Sequence, residues 1–156
     1  MMAMREIITT PSGLKHAVVE EGQGDRPKIG DTISVHYELY LGKGTTTSLY
    51  DYGSEEYIDQ ICDSTYDENN PFSGPVNFII GNVTPKDETY KKGDSIKGLD
   101  EAFLDMRVGE KRKLLIPPNL AYGSEGASSF HTFHGYRTPP NSGLEITVEL
   151  IQIKEE

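Results

Sequence analysis

The chain has 156 residues, the length of one ordinary domain, and its 35% hydrophobic and 26% charged composition is polar for a globular protein. No apolar run approaches the roughly 18–20 residues that a membrane-spanning helix needs, which argues against a transmembrane protein. Fifteen Lys and Arg against twenty-five Asp and Glu leave a formal charge of −10, so the surface repels phosphate backbones and no nucleic-acid partner is expected.

Residues 1–12 carry no clear period and read as an N-terminal lead-in segment to a domain spanning 13–156. The opening Met1-Met2-Ala3-Met4-Arg5-Glu6 lacks the charged-then-apolar pattern of a secretory signal, so a cytoplasmic location is expected. Residues 14–19 form a first short strand, followed by a turn-rich loop at 20–27. Residues 32–40 alternate strictly. Ile33, Val35, Tyr37 and Leu39 fall on one face, and Thr32, Ser34, His36 and Glu38 on the other. The pattern then breaks over 42–61, a long excursion rich in Gly, Thr, Tyr and acids. Cys62 is the single cysteine, which excludes a disulfide framework and a cysteine-based zinc site.

Residues 76–80 are a short apolar strand closed by Gly81. Asp94-Ser95 then offers an N-terminal cap for a helix of about three turns. Ile96, Leu99, Phe103 and Met106 lie along one face of that helix, and Gly109 ends it. Residues 110–116 form a strand stopped by Pro117-Pro118, and a second enlarged loop covers about 124–138. The last strand starts at Leu144, with Ile146, Val148 and Leu150 on its apolar face and Ile151 and Ile153 suggesting cover on both faces beyond. About five strands, one helix and two long loops make an α+β domain, an antiparallel sheet packed on a single helix. Its default binding site is an apolar cleft between the helix start, the sheet and the loops.

By spacing alone, Tyr37, Ile96 and Leu99 are core residues, and Asp63 before Ser64 is a turn residue. His131 and His134 have a His-x-x-His spacing. A metal site needs three or four protein ligands, so none is expected there. Asn82-Val83-Thr84 fits a glycosylation acceptor, a triplet common by chance.

Five segments in order resemble the FKBP family of peptidyl-prolyl isomerases, the macrolide-binding immunophilins. They are Gly30-Asp31-Thr32-Ile33-Ser34-Val35-His36-Tyr37; Cys62-Asp63-Ser64; Ile96-Lys97-Gly98-Leu99-Asp100-Glu101-Ala102-Phe103; Met106-Arg107-Val108-Gly109 running on to Ile116-Pro117-Pro118-Asn119-Leu120-Ala121-Tyr122-Gly123; and Pro139-Pro140-Asn141 with the strand from Leu144. The lead-in Thr10-Pro11-Ser12-Gly13-Leu14 is similar to bacterial members. The resemblance implies an FKBP-like antiparallel sheet wrapped around one short helix, and acceleration of X-Pro cis/trans isomerisation during protein folding.

The resemblance further implies a set of site residues. Asp63 would be the acidic group near the twisting carbonyl, and the Tyr122 hydroxyl would donate to a substrate carbonyl, as would the backbone N–H of Ile96. Tyr37, Val76, Phe78, Ile96, Leu99 and Ile146 would be the walls, with Cys62 at an aromatic wall position. Either Pro71-Phe72 or Pro75-Val76 could match the family's Pro-Phe, and spacing to Phe78 and Gly81 favours the second. Leu99 stands where the family has a Trp floor, Cys62 where it has Phe, and Ile146 where it has an aromatic. The pocket is therefore expected to be wider or differently shaped, with weakened affinity for macrolide inhibitors. Phe130, Phe133 or Tyr136 is expected to fold over the cleft and restore aromatic surface. The expected partners are proline-containing peptides or unfolded protein clients, with no membrane and no cofactor, and the chain is expected to be a monomer. The alternative is a chaperone or partner-binding module that kept the fold without efficient catalysis.

Overall fold

The alternation along residues 32–40 builds the strand on which the others depend. In the computed structural model, which describes residues 6–41, 63–66, 74–85, 88–135 and 137–154, that strand is β3, Thr32–Leu41. It pairs antiparallel along its whole length with β7, Leu144–Lys154, from Thr32 opposite Lys154 to Leu41 opposite Leu144, with one bulge between Ser34 and Val35. The other edge of β3 is shared. β5, Val76–Ile79, pairs with Thr32 to Val35, and the two-residue β4, Asp63–Ser64, pairs with Leu39 and Glu38. On the far side of β7 lie β6, Lys111–Ile116, then β2, Lys15–Glu20, then β1, Ile8–Thr9. Among the described residues the sheet thus has seven strands, where about five were expected. β1 and β4 have two residues each, too few for a period to be read from side-chain type.

One face of this sheet is the core. Ile33, Val35, Tyr37 and Leu39 of β3, Leu114 and Ile116 of β6, and Leu144, Ile146, Val148 and Leu150 of β7 are all buried. Helix α1, Lys97–Asp105, lays Leu99, Ala102 and Phe103 onto them. Each fully buried large side chain contributes on the order of 1.5–3 kcal/mol. Ile151 and Ile153, by contrast, are only half-buried. The buried row of β6 also includes Arg112, whose guanidinium is neutralised by Glu110 at 2.6 Å and Asp105 at 3.0 Å.

The start of α1 differs from expectation. Its N-cap is Ile96, in extended conformation and with no side-chain cap. The Asp94 carboxylate instead accepts from the Lys91 N–H and the Thr84 hydroxyl, and the Ser95 hydroxyl donates forward to Asp100. Both residues are engaged in closing the preceding segment, where Val83 bridges Ser95. The helix stops at Asp105. Gly109, with φ of 94°, serves the later turn into β6. The lead-in segment is fastened to this helix, because the Thr10 and Ser12 hydroxyls both donate to the Glu101 carboxylate.

Gly98 lets the first turn of α1 press against β6. A Cβ there would lie 2.5 Å from Ile116 Cγ2 and 3.2 Å from the Leu120 carbonyl oxygen. Alanine gains about 1 kcal/mol of helix propensity over glycine, but overpacking costs about 1–3 kcal/mol. A shift of the helix against the sheet adds to the unfavourable side. Gly98→Ala is therefore expected to lower the urea midpoint, and a raised midpoint would show that the contact yields easily.

Candidate functional site

Tyr37 is held by its backbone. Its N–H donates to Thr65 Oγ1 at 2.9 Å, and its carbonyl accepts the Thr65 N–H at 3.0 Å, so the turn after β4 clamps the strand at this residue. Phe78 projects from β5 onto the same apolar face and packs against Phe103 of α1. The ring of Phe133 meets both of these site candidates edge-on, with centroids 5.7 Å from Tyr37 and 5.7 Å from Phe78. Its backbone N–H donates to the Tyr122 hydroxyl at 3.1 Å. Tyr37, Phe78, Tyr122 and Phe133, from four separate parts of the chain, thus form one aromatic corner. Beneath it, Ile96, Leu99 and Ile146 are fully buried in the same core.

Of the three loop aromatics expected to cover the cleft, Phe133 packs against Tyr37 and Phe78. Phe130 does not, being 73% exposed. Its carbonyl is fixed outward by the Tyr90 N–H. Tyr136, Cys62 and the excursion at 42–61 lie outside the described residues. The backbone of Asp63 pairs opposite Leu39, and Val76 opens β5 half-buried opposite Val35. The covering loop is a closed hairpin. Ala127 and Thr138 exchange both backbone hydrogen bonds at 2.9 Å across its base. Gly126, with φ of 67°, packs so closely there that a Cβ would fall 2.3 Å from the Thr138 carbonyl oxygen. Thr65, the hairpin base and the Tyr122 link were all missed from sequence. Polar residues in turns carry no periodic signal, so nothing in the chain marked them.

Burial pushes the Tyr122 phenol well above its usual range, and the Phe133 N–H offsets this only in part. The hydroxyl stays protonated near neutral pH and can still donate. His134 is fully buried beside Tyr122 and Phe133, and burial drives its pKa down to about 3, so the ring is neutral. Its Nε2 lies 3.3 Å from the Thr138 hydroxyl, while His131 is turned away onto the Glu88 carbonyl. The two histidines have separate partners. Among the described residues no group of three His, Cys, Asp or Glu could hold a metal ion.

The sequence profile of FKBP-type peptidyl-prolyl cis-trans isomerases matches residues 24–151. This chain belongs to that family. FK506-binding protein 1A of Neurospora crassa is 36% identical over 143 residues, covering 91% of this chain and 89% of that protein. The peptidyl-prolyl cis-trans isomerase Fkbp12 of Drosophila melanogaster is 32% identical, covering 91% and 99%. Among solved structures, AtFKBP13 has a TM-score of 0.65 at 30% identity, covering 96% of this chain and 99% of its own. FkpA of Escherichia coli has a TM-score of 0.64 at 29% identity, and there this chain spans about half of the protein, 51%. The α+β FKBP fold and isomerase activity expected from sequence are therefore those of this protein.

The buried His134 has a consequence for this FKBP domain. In the unfolded chain a histidine titrates near 6.5, and in the folded one near 3, so protons favour unfolding between those values. Stability is greatest above about pH 6.5 and falls as the pH drops. From pH 7 to pH 5 the loss through this one group is about 2 kcal/mol. His16, lowered by burial and by Arg112, acts in the same direction. Urea unfolding at pH 7 and pH 5 checks this. His134→Gln should remove most of the loss that His134 causes, and an unchanged slope would mean that the ring is solvated.

Proposed function

We propose that the corner of Tyr37, Phe78, Phe133 and Tyr122 is where this isomerase holds the prolyl segment of its substrate. Rotation about X-Pro crosses a barrier near 18–20 kcal/mol and takes tens to hundreds of seconds unaided. No bond is broken, so neither nucleophile nor metal is required. At the transition state the amide is twisted, its carbonyl is less polar and its nitrogen is more amine-like. A dry apolar surface favours that form over the planar, well-solvated one. Rings that meet edge-on supply such a surface, and the neutral Tyr122 hydroxyl supplies a donor to orient a substrate carbonyl.

The observation that carries this reading is the position of Phe133. It brings aromatic surface to a core in which Leu99 and Ile146, at positions where the family resemblance implies larger rings, are aliphatic. Asp63 is assigned the role of the carboxylate near the twisting amide, on the strength of the Cys62-Asp63-Ser64 match. Proline-containing peptides and unfolded segments are the substrates assigned, with macrolides held less tightly than by members that keep the Trp floor.

A protease-coupled prolyl assay tests the assignment. Phe133→Ala is expected to lower kcat/KM by about tenfold, the equivalent of one aromatic pair at roughly 1.4 kcal/mol. Phe130→Ala should leave it unchanged. Tyr122→Phe should weaken turnover modestly, and Asp63→Leu more. Indifference to Phe133, Tyr122 and Asp63 alike would place the site elsewhere.

A further inference from the structure

Beside the aromatic corner lies a cleft of about 630 Å³, with Tyr122 in its wall. Its other walls are the Val83–Pro85 segment, the start of α1 at Lys97, and the base of the covering hairpin at Gly126 to Ser128 with Arg137 and Thr138. This cleft differs from the corner in chemistry, because two cationic side chains line it. Arg137 brings a guanidinium, a planar fork of donors with no acceptor. Its Nη1 is shielded from solvent and has no hydrogen-bond partner among the described residues. The contrast with Arg112 is plain, since that buried guanidinium has two carboxylates within 3.0 Å. Arg137 is half-buried, and a guanidinium nitrogen withdrawn from water without an acceptor is unfavourable.

Lys97 is the second cation and is exposed at the rim. It is also the first residue of α1, so the positive end of the helix dipole stands on the same side. Glu125 is the one carboxylate in the lining, and the His131 ring is engaged by the Glu88 carbonyl. The cleft is therefore locally cationic on a protein with a net charge of −10.

We propose that this cleft is a subsite for an acidic side chain of the client, placed close in sequence to the proline, with Arg137 as its principal cation and Lys97 assisting. The inference rests on the assignment of the prolyl site to the Tyr122 corner, because Tyr122 is the residue the two share. A carboxylate fits the planar guanidinium fork with two parallel hydrogen bonds. The client's acid would thus complete a pairing that the folded chain leaves open. Overall charge disfavours acidic peptides at a distance, while this cleft selects for an acid at one place.

The test is a set of prolyl peptides carrying Glu, Gln or Lys at each of the two positions before and after the proline, assayed at low and high salt. At one position the Glu peptide is expected to exceed the Gln peptide in kcat/KM by about tenfold, the range of a hydrogen bond between charged groups, with Lys below Gln. That ratio should shrink as salt is raised, fall partway in Lys97→Gln, and collapse toward one in Arg137→Gln. The salt dependence of the wild-type protein decides the matter even if the Arg137 variant fails to fold. Turnover of the Gln peptides with no preference for Glu at any position would overturn the subsite and leave the isomerase site standing. No turnover of any peptide would overturn the site assignment itself. A Glu preference that survives both high salt and Arg137→Gln would also overturn the proposal.

Discussion

The pairing of β3 with β7 is the constraint from which the rest of the molecule follows. Ten residues of β3 are matched against β7, with the register shifting once at the bulge between Ser34 and Val35, and a further slip by one would turn every inward side chain out to solvent. That register places Tyr37 and Ile146 on the core face and gives α1 a continuous apolar surface to lie on. It also leaves one edge of β3 open, and that edge is divided between β5 and β4. The division matters for function. β5 delivers Phe78 from one end of the edge, and the turn after β4 clamps Tyr37 from the other.

Aromatic surface reaches the corner partly from outside the sheet. Leu99 and Ile146 keep the core beneath it aliphatic. Phe133 adds a ring, carried on a loop rather than on a strand or helix. Its place is set by three kinds of contact: edge-on packing against Tyr37 and Phe78, its own N–H on the Tyr122 hydroxyl, and a hairpin base closed by two backbone hydrogen bonds. The Tyr122 oxygen therefore has two roles. It accepts from the loop while its proton remains available to a bound carbonyl.

Much of this was legible in the chain, and the reasons are physical. The strict alternation of β3 and β7 and the helical spacing of Leu99 and Phe103 reflect burial of one face, which side-chain type records directly. The strongly patterned motif ending in Ala121-Tyr122-Gly123 pointed to the family and to Tyr122. What the chain did not disclose depends on which of several available partners the fold selects. The Asp94-Ser95 pair has the composition of a helix cap, yet tertiary contacts with Thr84 and Asp100 claim both side chains. Phe130, Phe133 and Tyr136 are equivalent as residue types in a loop, and only the fold separates the inward Phe133 from the outward Phe130. That Arg137 Nη1 has no acceptor among the described residues is invisible to sequence, because it is the lack of a neighbour.

The closed base of the hairpin makes the residues between Ala127 and Thr138 a self-contained cassette. Because Ala127 and Thr138 hold each other, changes of length or composition within the cassette are absorbed there and need not propagate into β6 or β7. Lengthening such a closed loop is also cheap, about 0.6 kcal/mol per doubling. The segment that carries Phe133 and Arg137 can thus change while the sheet beneath it stays the same. The ring and the cation that this insert contributes to the proposed sites would then be exchangeable independently of the walls supplied by the sheet and the helix.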